Sequence, residues 1–482
     1  MNAQIRKLFA VTVALFMVLA VAMTLIQVVF ASDLVNDARN TRRYLQAAEK
    51  DRGPIIAADT PIAFSERNEV NNQYQRRYPD GPLYAAITGY FSAVTMSATG
   101  MEAAENSVLE GHTDALFWSR MRNLFAGKSR EGGGVVLTVN PDMQSTAANL
   151  LDGRAGAAVA LDVETGAVLT LYSSPSYDPN PLASLDSKVA VAAASELESD
   201  PARPLDNRAI ASNRYAPGST FKILTAVAML ESGIQPTTNL ESPPTTLLPG
   251  TETEISNIYG RACGDGNPTF SDAFAKSCNT TFVIASESLP EGKLEEVAER
   301  FGFGKSLKIP LSVTPSTFPE VENRAQLALS AIGQFEVQVT PLQMAMVAAA
   351  IGNGGTMMQP YLVDTVVDAD NRVMSRTSPS KLGQATTPEV ASQVKDMMIE
   401  VVSGAGGVSS AAIKGIQVAA KTGTAEVGDG SRTNAWTVAF APADDPKIAV
   451  AVIVEGSDQD PTPLGGEVAA PIVRQLLEVG LR

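Results

Sequence analysis

The segment 216–222, Ala-Pro-Gly-Ser-Thr-Phe-Lys, places a hydroxyl three residues before an amine. The proline and glycine predict a turn, and the mostly apolar run 221–230 predicts a helix that begins near Ser219. Residues three apart on a helix share a face, so we expect Lys222 one turn above Ser219. A serine at a helix N-terminus beside an amine can act as a nucleophile with its base. A capped helix with a solvated lysine would show the same short pattern.

Two further segments have residue types that could complete such a site. Ser277-Cys278-Asn279 is expected late in a helix over 270–286, and Lys421-Thr422-Gly423-Thr424 is expected on a strand. A lysine followed by small hydroxyl residues and glycine leaves room for a substrate backbone beside that strand. Singly, these segments could be ordinary helix surface and a strand-edge lysine. In this order, the three segments match the signature of class A β-lactamases and penicillin-binding proteins.

The chain contains one histidine, His112, within a polar stretch that is expected at the surface. A Ser-His-Asp triad or a histidine-rich metal site would have to use it. A serine enzyme with this sequence is therefore expected to take its base from lysine. Because only two cysteines are present, the sequence does not favour a zinc site. No metal or organic cofactor is expected.

Composition indicates a folded protein of two or three domains, since 482 residues include 45% hydrophobic and 18% charged residues. The formal charge of −15 argues against nucleic acid as a partner, because binding phosphate requires clustered Lys and Arg.

The N-terminus predicts a single-pass membrane anchor. Arg6 and Lys7 precede an uncharged run over 8–30, which as a helix would span about 35 Å, enough to cross a bilayer. The basic residues predict that 1–7 is cytoplasmic and that the rest of the chain lies outside the plasma membrane. A cleaved signal peptide is the alternative, although 29–32 poorly matches a cleavage site.

The remaining chain divides into two predicted domains. Residues 31–140 combine a helix at 37–50 with short strands and turns, and they are expected to form a pedestal or interaction domain. Residues 141–482 show a hairpin, a block of helices, three strands near 417–454 and a last helix near 467–477. This order predicts an α+β domain in which a mainly antiparallel sheet lies between helical layers.

The whole chain resembles a class B penicillin-binding protein, and its layout is most similar to the shorter elongation-type members found in actinobacteria. Beyond the three segments, the resemblance rests on the following motifs: Arg52-Gly53, Gly166, Pro175 to Asn180, Asn207-Arg208-Ala209, Gly333-Gln334, Thr340 to Gln343, Asn353-Gly354-Gly355, and Trp436 with Phe440-Ala441-Pro442. It departs from the family at Phe335, where glycine is usual, and at Cys278.

This resemblance implies a penicillin-binding fold and a peptidoglycan D,D-transpeptidase acting on stem peptides that end in D-Ala-D-Ala. Ser219 would be acylated, with Lys222 as its base, Ser277 as a proton relay and Asn279 holding the base and the substrate amide. Lys421 would complete this catalytic group. The implied substrate-binding residues are Thr422, Gly423, Thr424 and Trp436. β-Lactam antibiotics would acylate Ser219.

Several alternatives remain open at this point. Outside the membrane, Cys263 and Cys278 could form a disulfide, or both could be reduced and buried. A membrane-anchored β-lactamase, a β-lactam sensor or mainly a scaffold of a wall-synthesis complex could carry the same segments. The resemblance also implies a SEDS-type glycosyltransferase as partner, contacted through the anchor and pedestal.

Overall fold

The computed structural model describes residues 2–30, 50–67, 73–111, 132–211, 214–404, 406–428 and 430–482. The helix expected at 37–50, apart from its last residue, and the surface position expected for His112 lie outside the described residues. The helices are α1 (Asn2–Thr24), α2 (Gly81–Thr88), α3 (Gly100–Ala104), α4 (Asn106–Leu109), α5 (Pro141–Leu150), α6 (Ser187–Ser199), α7 (Lys222–Glu231), α8 (Phe270–Ala275), α9 (Asn279–Ser286), α10 (Lys293–Arg300), α11 (Arg324–Ala331), α12 (Pro341–Gly352), α13 (Pro388–Ser403) and α14 (Ala470–Gly480).

The strands are β1 (Ile55–Ala57), β2 (Thr60–Arg67), β3 (Tyr74–Arg77), β4 (Phe91–Ser92), β5 (Ser97–Ala98), β6 (Gly134–Leu137), β7 (Gly156–Asp162), β8 (Val168–Ser174), β9 (Thr245–Leu247), β10 (Glu254–Ser256), β11 (Leu307–Lys308), β12 (Ser312–Val313), β13 (Thr356–Met358), β14 (Val363–Val367), β15 (Val373–Arg376), β16 (Lys381–Gln384), β17 (Ala419–Val427), β18 (Arg432–Ala441) and β19 (Ile448–Glu455).

The N-terminal helix α1 continues into one π-helical turn, Leu25–Val29. The most apolar 18 residues of the helical stretch Gln4–Val29 have a mean hydropathy of 2.7, and none of this part is buried by the rest of the protein. Its length and composition are consistent with a membrane anchor.

The pedestal is built on a six-stranded sheet in the order β15-β14-β6-β1-β2-β3. Strand β1 pairs with β6 in parallel, and the remaining pairs are antiparallel. Strands β14 and β15 come from the second half of the chain, so the chain returns to the pedestal after forming most of the larger domain. The domain boundary expected at residue 140 stays a prediction, and this return crosses it.

A buried charge cluster holds the pedestal together around Glu102. Its carboxylate accepts hydrogen bonds from Arg52 Nε and Arg76 Nε, each at 2.6 Å. The hydroxyl of Tyr78 donates to the same carboxylate at 3.2 Å. Burial by itself raises the pKa of Glu102, but the charges of Arg76 and Arg52 outweigh it and lower that pKa below its usual range. Arg52, part of the motif behind the resemblance, is thus a structural residue of this cluster.

The larger domain is organised around a five-stranded antiparallel sheet in the order β17-β18-β19-β7-β8. Alternate residues of β7 enter different cores: Ala157 and Val159 lie in the core that contains α12, whereas Ala158 and Ala160 lie in the core that contains the apolar face of α14. Helices therefore cover both faces, which explains why these strands are apolar almost throughout. The predicted α+β class, with an antiparallel sheet between helical layers, is confirmed.

Local predictions differ from the structure in three places. The single helix expected over 270–286 is interrupted, because α8 ends at Ala275 and Ser277 has a φ of +60°. The stretch between the predicted hairpin and the 216–222 segment contains helix α6, for which no element was predicted. The last helix begins at Ala470, after a π-helical turn over Gly465–Ala469.

Candidate active site

The turn that carries Ser219 is short and tightly held. Residues Gly218–Phe221 form a 3₁₀ turn that leads directly into α7. The N–H of Gly218 donates to Gly333 O at 3.0 Å. Ser219 remains partly exposed, while Lys222 at the start of α7 is fully buried. The hydroxyl therefore lies at the surface of a cleft, and the amine beside it is enclosed.

Lys222 Nζ is held by acceptors from the 277–279 segment. It donates to Ser277 O at 2.9 Å and to Asn279 Oδ1 at 2.7 Å, and it lies 3.4 Å from Ser277 Oγ. The amine also lies 5.1 Å from the centre of the Phe282 ring. Burial, followed by the charge of Lys421, lowers the pKa of Lys222 well below its usual value. A neutral amine at this position can accept a proton.

Lys421 also contacts Ser277. Its Nζ donates to Ser277 Oγ at 2.9 Å and to Thr422 O at 3.0 Å. Its side chain is fully buried, and burial lowers the pKa of Lys421 to about 7. Ser277 is consequently the point at which two buried amines meet.

The break between α8 and α9 determines the direction of Ser277. A continuous helix would keep Ser277 on its surface, whereas the positive φ turns the chain, and α9 starts afresh at Asn279. The sulfur atoms of Cys263 and Cys278 are bonded in a disulfide, which ties the preceding loop to this break. Asn279 Nδ2 donates to Ser256 O at the end of β10 at 3.1 Å, so this strand also orients the amide.

Strand β17 forms the other wall of the cleft. It is the edge strand of the sheet, and Thr422 and Thr424 along it are partly exposed. A side chain at Gly423 would lie 3.0 Å from Pro217 O and 3.1 Å from Thr220 N. Glycine therefore allows the strand to approach the turn that carries Ser219.

Trp436 is fully enclosed, with no exposed surface. It lies opposite Gly423 in the neighbouring strand, and its indole Nε1 donates to Ala216 O at 3.1 Å. The indole thereby supports the turn that precedes Ser219, and the expected role of Trp436 as a substrate-binding residue stays a prediction.

Sequence reasoning did not place Gly333 in the site, although the motif Gly333-Gln334 was recognised. A Cβ at Gly333 would lie 2.0 Å from Gly218 O, and its φ is +73°. Phe335, which stands where the family has glycine, also has a positive φ of +60°. The sequence signal for this close approach was the glycine of the Gly333-Gln334 motif, which lies outside the predicted helices.

In the part of the chain that the structure describes, no group of three or more His, Cys, Asp or Glu side chains is arranged to hold a metal ion. The site's polar groups are amines, hydroxyls and one amide, and these suit proton transfer and the binding of a carboxylate.

Comparison with known proteins places this arrangement in a family. The family profile "Penicillin binding protein transpeptidase domain" matches residues 156–478. The chain belongs to the penicillin-binding proteins. A second profile, "Penicillin binding protein A dimerisation domain", matches residues 52–135. The penicillin-binding protein resemblance predicted from the motifs is confirmed, and the chain is a class B transpeptidase.

Relatives that align with the whole chain support the same family assignment. It is 42% identical over 496 aligned residues to peptidoglycan D,D-transpeptidase PbpA of Mycolicibacterium smegmatis, covering 100% of this chain and 99% of that one. The M. tuberculosis H37Rv protein of the same name is 39% identical over 493 residues, with the same coverage.

Solved structures give the same result. Penicillin-binding protein A from M. tuberculosis, as a ceftriaxone acyl-enzyme, superposes with a TM-score of 0.86 at 38% identity, covering 91% of this chain and all of that one. A D,D-transpeptidase domain from Eggerthella lenta gives 0.78 at 33% identity, covering 90% and 99%.

Proposed function

We propose that this penicillin-binding protein cross-links peptidoglycan through an acyl-enzyme on Ser219. The observation that carries the proposal is the convergence of Lys222 and Lys421 on Ser277 Oγ, at 3.4 and 2.9 Å. Two buried amines that share one hydroxyl form a proton path, which a purely structural helix junction would not need.

In the first half-reaction, neutral Lys222 takes the proton of Ser219 as its Oγ attacks the carbonyl between the two D-alanines of a stem peptide. The backbone N–H groups of Ser219 and Thr424 stabilise the oxyanion, a contribution of about 3–4 kcal/mol per donor in other enzymes. The C–N bond then breaks, and the departing D-alanine receives its proton through Ser277.

The terminal carboxylate of the substrate binds at strand β17. Protonated Lys421 supplies charge, and the hydroxyls of Thr422 and Thr424 donate hydrogen bonds. Asn279 holds Lys222 with its Oδ1 and is oriented to meet the amide of the substrate. The closeness of Gly423 to the turn keeps this anchor beside Ser219.

In the second half-reaction, an amine of a neighbouring stem peptide attacks the acyl-enzyme. A new C–N bond forms, the bond to Ser219 Oγ breaks, and the amine's proton returns to the serine through Ser277 and Lys222.

β-Lactams test this assignment, because they present the same acyl group. After incubation with a fluorescent penicillin, the intact mass of the wild type should increase by one penicillin, while Ser219→Ala should stay unlabelled. An unlabelled wild type, or a labelled Ser219→Ala, would overturn the proposal. Rapid hydrolysis of penicillin would instead favour a β-lactamase, and growth supported by the Ser219→Ala protein would favour a scaffold.

The N-terminal helix supports a single-pass placement in the plasma membrane, with residues 1–7 cytoplasmic and the catalytic domain outside. Reaction of introduced cysteines with a membrane-impermeant maleimide on whole cells tests it. The variant Asn2→Cys should stay unlabelled, whereas Lys447→Cys, at an exposed position of the catalytic domain, should be labelled. The reverse pattern would contradict this orientation.

The same placement supports a multi-span SEDS-type glycosyltransferase as partner, contacted through the anchor and the pedestal. The support is the family resemblance together with a pedestal sheet that stands apart from the catalytic sheet. Co-purification from membranes should be lost when α1 is exchanged for an unrelated transmembrane helix, and retention of the partner would contradict this contact.

A further inference from the structure

A series of contacts joins the pedestal to the turn that carries Ser219. It begins at Asn207, whose Nδ2 donates to Ala86 O on pedestal helix α2 at 2.7 Å. The next residue, Arg208, is almost fully buried, and its Nε donates to Glu455 Oε1 at 3.0 Å. Movement of the pedestal helix would therefore act on the carboxylate of Glu455 through two consecutive residues.

Glu455 also holds the other end of the series. The hydroxyl of Tyr215 donates to the same Oε1 at 2.6 Å. The Tyr215 ring packs edge-on against Trp436, with 6.1 Å between ring centres, and Trp436 Nε1 donates to Ala216 O. Ala216 lies three residues before Ser219, so the position of Glu455 reaches the nucleophile through a phenol and an indole.

The chemistry of these contacts calls for a carboxylate at residue 455. Arg208 is held in place because its two terminal nitrogens donate to Arg203 O and Ala202 O, at 3.1 and 2.9 Å. An ionised oxygen accepts from the guanidinium and the phenol together, and bonds to a charged acceptor are shorter and stronger than those to a neutral amide. Glutamine would keep the size of the side chain and lose the charge that draws both donors to one point.

We infer that Glu455 is a positioning residue for acylation, which couples the seating of the pedestal to the placement of the turn that carries Ser219. Glu455 does not contact the reacting atoms; it acts through Tyr215 and Trp436. The inference rests on the proposed role of Ser219 as the nucleophile.

The first test compares Glu455→Gln and Tyr215→Phe with the wild type, as full-length protein in detergent. Fluorescent penicillin gives the acylation rate constant at saturation and the dissociation constant of the preceding complex, and thermal unfolding gives Tm. We expect the rate constant to fall by about tenfold, equivalent to ~1.4 kcal/mol, while the dissociation constant stays within about twofold. A purely structural role would lower Tm and leave this rate constant unchanged.

Asp458→Asn is the matched control, because Asp458 forms an exposed ion pair with Arg432 shortly after the end of the same strand. It should acylate like the wild type. An equal loss in Asp458→Asn would contradict a specific role for Glu455.

The second test asks whether the pedestal acts through Glu455. Asn207→Ala removes the bond to Ala86 O, and Ser176→Ala removes a comparable bond to Pro82 O on the same helix. Asn207→Ala should slow acylation in the wild type and have little further effect in Glu455→Gln, whereas Ser176→Ala should have little effect in either. Additive losses, or equal losses from both alanine variants, would overturn the coupling.

If Glu455→Gln does not fold, Tyr215→Phe provides the background for the same cycle, because it removes a single hydroxyl. Two failures are distinguishable. A wild type without label at Ser219 overturns the proposed function, whereas a labelled wild type with unchanged rate constants in Glu455→Gln and Tyr215→Phe overturns only this inference.

Discussion

Ser277 Oγ lies 2.9 Å from Lys421 Nζ and accepts a hydrogen bond from it, although 144 residues separate the two in sequence. The same oxygen lies within reach of Lys222. Because both amines are buried, charging both of them at once is unfavourable. The proton that they share is the one that catalysis must move.

Replacing Lys222 should remove the base. In Lys222→Arg, the arginine keeps a cation in place, but it stays protonated and cannot take the proton of Ser219. Acylation by fluorescent penicillin should therefore fall by about 10²–10⁴-fold. Stopped-flow labelling measures this loss. Lys276→Arg, at an exposed position one residue before Ser277, should retain the wild-type rate. Near-normal labelling of Lys222→Arg would exclude lysine as the base.

Acylation should depend on pH through both lysines. Deprotonation of Lys222, whose pKa is lowered well below its usual value, creates the base and increases the rate as pH rises. Deprotonation of Lys421, with a pKa of about 7, removes the charge that binds the carboxylate and decreases the rate. A bell-shaped profile of the second-order acylation constant is expected, belonging to the coupled pair.

Lys421→Arg distinguishes the two limbs of this profile. Arginine stays charged throughout the accessible pH range, so the decrease at high pH should disappear while the increase at low pH remains. A decrease that persists in this variant would assign it to another group.

Gly333→Ala should displace the turn that carries Ser219. The new methyl would lie 2.0 Å from Gly218 O, in addition to about 1–2 kcal/mol of strain from a positive φ. Acylation should decrease strongly and Tm should fall. Gly304→Ala is the matched control, since Gly304 has a φ of +76° and nothing within 4 Å of the added methyl. It should show the strain alone, with an unchanged acylation rate.

The disulfide should stabilise the fold near the site. Cys263→Ser opens a loop closed across 15 residues, so the free energy of unfolding should fall by about 3 kcal/mol in a denaturant titration. Acylation should slow as well, because Cys278 adjoins Ser277. Reducing the wild type should reproduce the loss of stability, and reducing Cys263→Ser should cause no further loss. If the denaturation midpoints of Cys263→Ser and of the reduced wild type both equal that of the oxidised wild type, this role is contradicted.

Glu102→Gln should destabilise the pedestal by about 3–5 kcal/mol, because it removes the carboxylate charge that the two buried guanidinium groups share. Arg52 retains a second carboxylate, Glu110 Oε1 at 3.5 Å. Glu66→Gln, in an exposed pair with Arg77, should change stability by less than about 1 kcal/mol. Since the folded-state pKa of Glu102 is lowered, its contribution is present at neutral pH and is lost as pH falls through that value. Thermal unfolding against pH should show a weaker acid dependence in Glu102→Gln.

Much of the site was predictable because its chemistry is local in sequence. Ser219 and Lys222 lie one turn apart on one short segment, and Gly423 stands beside the lysine of an apolar strand. The hairpin of β7 and β8 and the strands of the C-terminal half follow from apolar runs between turn residues; the three strands predicted near 417–454 are β17, β18 and β19, which lie within 419–455.

Other features were not predictable because they depend on contacts between distant segments. The residues around Ser277 favour a continuous helix, and only the packing of α8 and α9 with the disulfide imposes the break. Likewise, the hydrogen bond from Trp436 Nε1 to Ala216 O joins residues 220 positions apart in sequence. No local pattern indicates that β14 would extend the pedestal sheet.

The sequence by itself determined the reactive groups: a serine, two lysines and an asparagine in ordered segments, with a single histidine that belongs to none of these segments. The tertiary structure decided which of these groups meet and in what state. Burial lowers the pKa of both lysine amines, and the break before Asn279 directs Ser277 between them. Glu455 joins the pedestal to the nucleophile. These properties arise from desolvation and long-range packing, which no short segment of the chain contains.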